Sequence, residues 1–416
     1  MLSWEYAPHI VGGLGAHVSA LAPALARAGV EVCVLTPRLN GGKAKEKLSA
    51  PRSKIKTSAR AKKNARQKTN ATNGMVERLD PQLPITNYLY DDVRAMNAIL
   101  ETRGRELFEK KPFDLIHAHD WLVAFAGIAL KHAHQTPLLA TIHATECGRG
   151  RGTLAGETAQ AINGVEWWLA YEAWRVICTS EFMAGEVKNS FQAPADKVSI
   201  VPNGVDAAPF DALEKENLEK FRARWATPDE RIIFNVGRVV HEKGAAVLLD
   251  AAPRVLAEFP RAKFIVAGTG SLVEPLKIRA AEMGIADRFV LTGFIADAER
   301  NRLLKVADAA VFPSLYEPFG IVALEAMAAK CPVVVSEIGG LREVVRHAET
   351  GITVYPDNAE SLAWGILHTL QHRDWARARA ANAYRVATTA YAWDRIAAQT
   401  AEVYRRIVAE RAQVEW

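Results

Sequence analysis

The sequence predicts an α/β protein of two domains, each assembled from β-α-β units. Three observations carry this. Short apolar runs alternate with helix-period stretches along almost the whole chain. Several of the apolar runs end in a glycine-bearing turn, as at Gly12-Gly13, Gly237 and Gly268. The chain has 416 residues, 49% of them apolar, which is too long for one ordinary core and enough for two.

Composition narrows the class. The cysteines Cys33, Cys147, Cys178 and Cys331 have no metal or redox spacing and read as scattered thiols of a reducing compartment. No apolar run reaches the length of a membrane span. Met1 opens into Leu-Ser-Trp-Glu without a basic and then apolar leader, so a cytoplasmic protein is expected. The formal charge of +5 is unevenly spread. Residues 41–70 hold eleven Lys and Arg against Glu46 alone, which leaves the remainder net acidic. This stretch is expected to be an exposed, mobile insertion, or a lure for an anionic partner. It has no interleaved aromatics, so base stacking has no support and no specific nucleic-acid partner is expected.

Residues 1–8 read as the end of a first strand that would ordinarily start a few residues earlier, so a clipped or misassigned start is expected. Gly12-Gly13-Leu14-Gly15 is the crossover turn, where backbone amides can approach a bound group. A helix follows over residues 16–28, and a strand over 30–35. Residues 91–108 read as a helix. His117-Ala118-His119-Asp120-Trp121 closes a strand, and a further strand from 138 ends at His143. Ligands in open α/β sheets sit beyond the carboxyl ends of strands, so Asp120 and His143 are site candidates. His117 and His119 are assigned to opposite faces of their strand, and no metal site is expected. Trp167, Trp168 and Tyr171 are assigned to packing rather than to sugar stacking. Pro202-Asn203-Gly204-Val205-Asp206 is a turn and marks the domain boundary. The first domain is set at 1–205, with the basic insertion at 41–70. The second is set at 206–385, and a last helix within 386–416 crosses back to the first.

The second domain opens on a strand ending at Gly237-Arg238, followed by His241-Glu242-Lys243-Gly244. Two fixed cations one tight loop apart suit a diphosphate. Thr292-Gly293-Phe294 ends another strand. The run Ala309-Ala310-Val311-Phe312 leads into Glu317-Pro318-Phe319-Gly320-Ile321-Val322, then Leu324-Glu325-Ala326-Met327. Glu317 precedes a helix whose first amides attract anions, and Glu325 lies about two turns further in. Gly339-Gly340 is expected to admit a ligand closely.

Together these stretches resemble retaining glycosyltransferases of the GT-B type, family 4, with the closest likeness to bacterial and archaeal glycogen synthases. The resemblance spans nearly the whole chain apart from 41–70. It implies two Rossmann-like domains facing each other across a cleft, and a hexosyltransferase of the EC 2.4.1 type. It implies that Gly12, Gly13 and Leu14 form a donor-side loop. Many such enzymes carry a lysine two residues before the first glycine; Ile10 stands there here, so cations of the second domain must hold the donor phosphates. Arg238 and Lys243 would stabilise the departing nucleoside diphosphate, with the amides of Gly320, Ile321 and Val322. Glu317 would grip sugar hydroxyls and Glu325 the ribose. Phe294 would flank the base. His143 would touch the sugar near its C6 hydroxyl, and Asp120 would shape the sugar or acceptor pocket. No cofactor or metal would be required beyond the nucleotide-sugar donor, ADP-glucose or UDP-glucose. The expected reaction is glucose transfer to the nonreducing end of an α-1,4-glucan or oligosaccharide. The alternative is another sugar nucleotide, or a small or lipid-linked acceptor. Two other classes, a nucleic-acid binder and a noncatalytic sugar-binding homologue, explain the site pattern less well. Oligomeric state is left open.

Overall fold

The computed structural model describes residues 1–48, 74–81 and 89–416. In the N-terminal half the strands are β1 (Val32–Pro37), β2 (Lys45–Lys47), β3 (Gly74–Leu79), β4 (Ile116–His119), β5 (Leu138–Ile142), β6 (Arg175–Cys178) and β7 (Val198–Ile200). They pair as β1-β3-β2 and β4-β5-β6-β7. Residues 1–3 join the two groups. Leu2 bridges in parallel to both Leu35 and Ala118. Its amide donates to the His117 carbonyl at 2.7 Å, and the His119 amide donates to Leu2 at 3.1 Å. Leu2 thus splints the two groups at the centre of the sheet. The chain leaves it directly toward Glu5 and the glycine turn.

Lys45–Lys47 corrects the expectation that the basic stretch is wholly a loop. It runs antiparallel to β3. Glu46 pairs with Arg78 at 2.9 Å, Lys45 pairs with Glu77 at 3.2 Å, and Leu48 is buried. Cross-strand charge pairs hold a segment that composition alone assigns to solvent. Residues 49–70 of that stretch lie outside the described residues.

In the C-terminal half the strands are β8 (Arg231–Val236), β9 (Ala262–Ala267), β10 (Phe289–Gly293), β11 (Ala309–Phe312), β12 (Val333–Ser336) and β13 (Ile352–Val354). They form one parallel sheet in the order β10-β9-β8-β11-β12-β13. Their near-continuous Val, Ile, Phe and Ala runs fit strands covered by helices on both faces. The strand order reverses between β8 and β11. That is the switch point beyond which α/β sheets bind ligands.

The last helix, Trp393–Arg411, leaves the C-terminal half and packs on the N-terminal helix Gly13–Arg27. Ile396 and Ile407 are fully buried there among Val18, Leu21 and Leu25. Each buried isoleucine contributes roughly 1.5–3 kcal/mol. Tyr404 bonds His117 at 2.7 Å, and Val205 bridges to Ala392, so the strap is tied at both ends.

Candidate active site

The loops that follow β8 and β11 build one wall of the cleft. After β8, residues 241–243 form a single tight turn closed by Gly244 at φ +70°. A Cβ on Gly244 would lie 1.8 Å from the Pro313 carbonyl oxygen, so only glycine lets this turn press against the end of β11. The Glu242 carbonyl accepts from the Leu315 amide at 2.9 Å and fixes the two loops together. The result is an ion pair: Lys243 Nζ lies 2.8 Å from Glu317 Oε2. Ser314 Oγ lies 3.3 Å from the same oxygen, and Glu317 is only 8% exposed.

Arg238 is on the same wall but does not reach Glu317. It is half exposed and pairs with Glu242 at 2.8 Å. Gly320, at φ +102°, turns the chain into the helix Ile321–Ala328, and no side chain caps that start. The first amides of this helix therefore face the cleft without intrahelical partners. Gly339 and Gly340 depart from expectation. A Cβ on Gly339 would meet the Glu317 carbonyl oxygen at 2.1 Å, and one on Gly340 would meet Phe319 Cα at 2.4 Å. These glycines admit the 317–319 loop rather than a ligand. Burial raises the pKa of the Glu325 carboxyl, and Arg300 at 3.2 Å opposes that rise. Phe294 stands 80% exposed just beyond β10.

The opposite wall comes from the N-terminal half. Gly13 faces Ile321: a Cβ there would be 3.4 Å from Ile321 Cδ1. Gly12 is already engaged, since its amide and that of Val11 donate to Glu5 Oε2 at 3.1 and 2.8 Å. That leaves Gly13 and Leu14, at the start of the Gly13–Arg27 helix, as the free part of the turn. Asp120 sits at φ 60° at the end of β4 and accepts from the His143 backbone amide at 2.7 Å. Asp120 thus holds the loop that carries His143, and burial pushes its carboxyl up to about 7. Glu166, almost fully buried, accepts from the Glu146 amide and is pushed up to about 8, also by burial.

His117 and His119 share a face, contrary to expectation: side chains two apart on a strand point the same way, and their rings lie 4.2 Å apart. His17, His119 and His143 each bring one ring nitrogen within 4.8 Å of the others, close enough to share a cation. Internal bonds already organise them. His119 Nδ1 and His143 Nε2 are 3.2 Å apart, and His17 Nδ1 is 2.6 Å from Asn203 Oδ1. Burial lowers the pKa of all these rings, His17 to about 4, and so favours their neutral imidazole forms. Trp167 and Tyr171 are exposed and stacked at 5.3 Å, not packed inside; only Trp168 joins the core.

The two walls touch. Ser180 Oγ donates to the Pro318 carbonyl at 2.6 Å, and Tyr316 donates to Glu186 at 2.9 Å. A family model for group 1 glycosyl transferases matches residues 217–386, and one for glycosyltransferase family 4 matches residues 11–208. An uncharacterized glycosyltransferase of Methanocaldococcus jannaschii is 35% identical over 412 residues, covering 97% of each chain. The chain belongs to the GT-B glycosyltransferases. The glycogen synthase of Mycobacterium tuberculosis is 34% identical, over 97% of this glycosyltransferase and 93% of that one. A D-inositol 3-phosphate glycosyltransferase of Thermobispora bispora is 32% identical over 74% of both. Among solved structures, sucrose-phosphate synthase of Thermosynechococcus elongatus superposes with a TM-score of 0.76 at 26% identity, covering 96% of this chain and 94% of that one.

Four residues of the candidate site were not singled out from sequence as site residues: Glu5, His17, Arg300 and Glu166. His17 had a visible signal, an imidazole one turn beyond the glycine crossover. Arg300 lies on the Asp297–Val306 helix, in an ordinary amphipathic pattern that gives no such signal.

Proposed function

We propose that this glycosyltransferase moves a glucose-like sugar from a nucleotide diphosphate donor to a small or oligosaccharide hydroxyl acceptor, with retention. The observation that carries this is the Lys243–Glu317 pair at the head of the Ile321–Ala328 helix. Lys243 and the helix amides take the charge that grows on the diphosphate as its bond to the sugar breaks. Arg238, partnered among the described residues by Glu242, swings from that acid to the same diphosphate. Glu317 exchanges Lys243 for sugar hydroxyls. The acceptor hydroxyl attacks on the face the phosphate leaves and passes its proton to a phosphate oxygen, so configuration is kept. His143 bonds a sugar hydroxyl as a neutral donor or acceptor. Glu325, with Arg300, holds the ribose.

The family names attached to similar chains include glycogen synthase, D-inositol 3-phosphate glycosyltransferase and sucrose-phosphate synthase. That range favours a small acceptor as much as the end of an α-1,4-glucan, so the glucan is one arm of the test. The experiment pairs ADP-glucose, UDP-glucose and other sugar nucleotides with glycogen, malto-oligosaccharides, inositol phosphates and hexose phosphates. Product anomeric configuration is read by NMR. Transfer to a phosphorylated small acceptor but not to glucans settles for the former; an inverted product overturns the mechanism.

A further inference from the structure

A second pocket lies away from the cleft, at the free edge of the C-terminal sheet. It has a volume of about 440 Å³ and lies between β13 and the helices Ala359–Gln371 and Arg373–Ala390. Two tryptophans open onto it, Trp364 at 46% and Trp375 at 62% exposure. They belong to a ladder of rings. Trp364 stacks between His347 at 6.4 Å and His368 at 5.3 Å, and Trp375 stacks on His372 at 5.0 Å. At the base sits Arg379, only 7% exposed, whose Nη2 has no hydrogen-bond partner among the described residues. Among the described residues no acid lines the pocket; its polar groups are Arg379, Asn382, the indoles and imidazoles.

A guanidinium taken out of water without a counter-charge is costly, and such groups are ordinarily paired. Its planar fork of donors fits a phosphate or carboxylate. Exposed indoles next to it offer a flat apolar face to a ring. We propose that this pocket binds a phosphate monoester carrying a ring, a hexose phosphate or a nucleoside monophosphate, with the phosphate on Arg379 and the ring on Trp364 or Trp375. A neutral sugar would stack as well but would leave the guanidinium uncompensated. Ligand binding here does not depend on the transfer reaction.

Calorimetry on the full chain tests this with glucose 6-phosphate, AMP, inorganic phosphate, glucose and maltotriose. At least one phosphate ester binds, and it binds tenfold or more tighter than glucose or maltotriose. The tighter of glucose 6-phosphate and AMP identifies the ring. Arg379→Gln and the surface variant Trp375→Ala each weaken this binding by about tenfold or more. Lys243→Ala leaves it unchanged. Thermal melting checks that Arg379→Gln is folded, and Trp375→Ala keeps the test valid if it is not. Absence of binding by both esters, equal binding of neutral sugars, or binding that survives both variants but is lost in Lys243→Ala overturns the proposal.

Discussion

Lys243 Nζ lies 2.8 Å from Glu317 Oε2, although 74 residues separate them in the chain. The two come from loops beyond β8 and β11, the neighbouring strands at which the sheet reverses its order. Cation and acid satisfy each other there. On the proposed roles, each is drawn to a different part of the donor. Lys243→Ala and Glu317→Ala are then expected to lower kcat by about 10²-fold or more, the scale of losing one preorganised charge in a closed site. Steady-state donor consumption with a fixed acceptor measures this. Near-normal turnover in both variants would remove the assignment.

The turn that delivers Lys243 depends on a residue with no side chain. Gly244→Ala forces a Cβ into the Pro313 carbonyl at a backbone angle that disfavours it. Expected is a loss of about 1–3 kcal/mol, together with lower activity as the 241–243 turn lifts off β11. Gly12→Ala is the control. Its φ is −156° and no described residue lies within 4 Å of a Cβ there, so its melting temperature stays near wild type. Thermal unfolding compares them; equal melting temperatures contradict the packing account.

His143 and Asp120 act in series. The Asp120 carboxylate fixes the His143 amide, and the His143 ring is the part proposed to reach the sugar. His143→Ala is expected to cut transfer by about 10–10²-fold with little change in nucleotide affinity. Asp120→Ala should do the same by releasing the loop, whereas Asp120→Asn, which keeps an acceptor oxygen, should recover part of the rate. Nucleotide Kd by calorimetry beside kcat separates the cases. A matching loss of nucleotide affinity in His143→Ala would contradict a sugar-side role.

Much of this architecture was legible because parallel sheets announce themselves. β8, β9, β11 and β12 are mostly apolar runs, broken only by Arg231, Asn235, Lys263 and Ser336, and each ends where a glycine or polar turn begins. The cations at 238 and 243 and the acid at 317 lie in the loops beyond those ends, and Glu325 on the helix that follows, so strand counting alone puts them on one side of the sheet. Less legible were features set by contacts across the chain. Nothing local tells that Gly340 packs on Phe319, or that Glu5 uses up the Gly12 amide. The histidine faces were misread for a simpler reason. A strand repeats every two residues, so His117 and His119 had to lie together. β2 was hidden because its residues are charged and its stability comes from partners on β3.

Stability should fall as pH rises through neutrality, and Glu166 is one cause. Burial raises its carboxyl in the folded chain to about 8, well above its unfolded value. Between those two values the folded state binds more protons than the unfolded state, so stability declines with rising pH. The contribution is fully present below the unfolded pKa and lost by about pH 8. Asp120, raised to about 7, adds to the same slope over a lower window. Glu166→Gln removes one titration while keeping an oxygen for the Glu146 amide. Its melting temperature should exceed wild type at pH 8 by about 2–4 °C for each kcal/mol recovered, with the gap closing toward pH 5. The buried imidazoles add a slope of the opposite sign below about pH 6.5, so the test is the difference between the two chains: a gap between Glu166→Gln and wild type that fails to widen from pH 5 to 8 would contradict it.

Arg300 and Glu325 give the last test, on the donor side. Glu325 is drawn up by burial and restrained by Arg300 at 3.2 Å, with Asp297 on the other side of the guanidinium at 3.1 Å. Arg300→Met keeps the length of the side chain but removes the cation, so Glu325 loses its counter-charge beside Asp297 and its carboxyl rises further. A protonated or displaced Glu325 holds a ribose diol poorly, because one of its acceptor oxygens becomes a donor. The ribose is remote from the bond that breaks, so the loss falls on binding common to ground and transition states. Donor KM should rise by about tenfold with kcat changed far less. Glu325→Gln should reproduce the effect, and combining the two should add little, as neighbours sharing one interaction are not additive. A fall in kcat at unchanged KM would instead place Arg300 and Glu325 at the reacting centre.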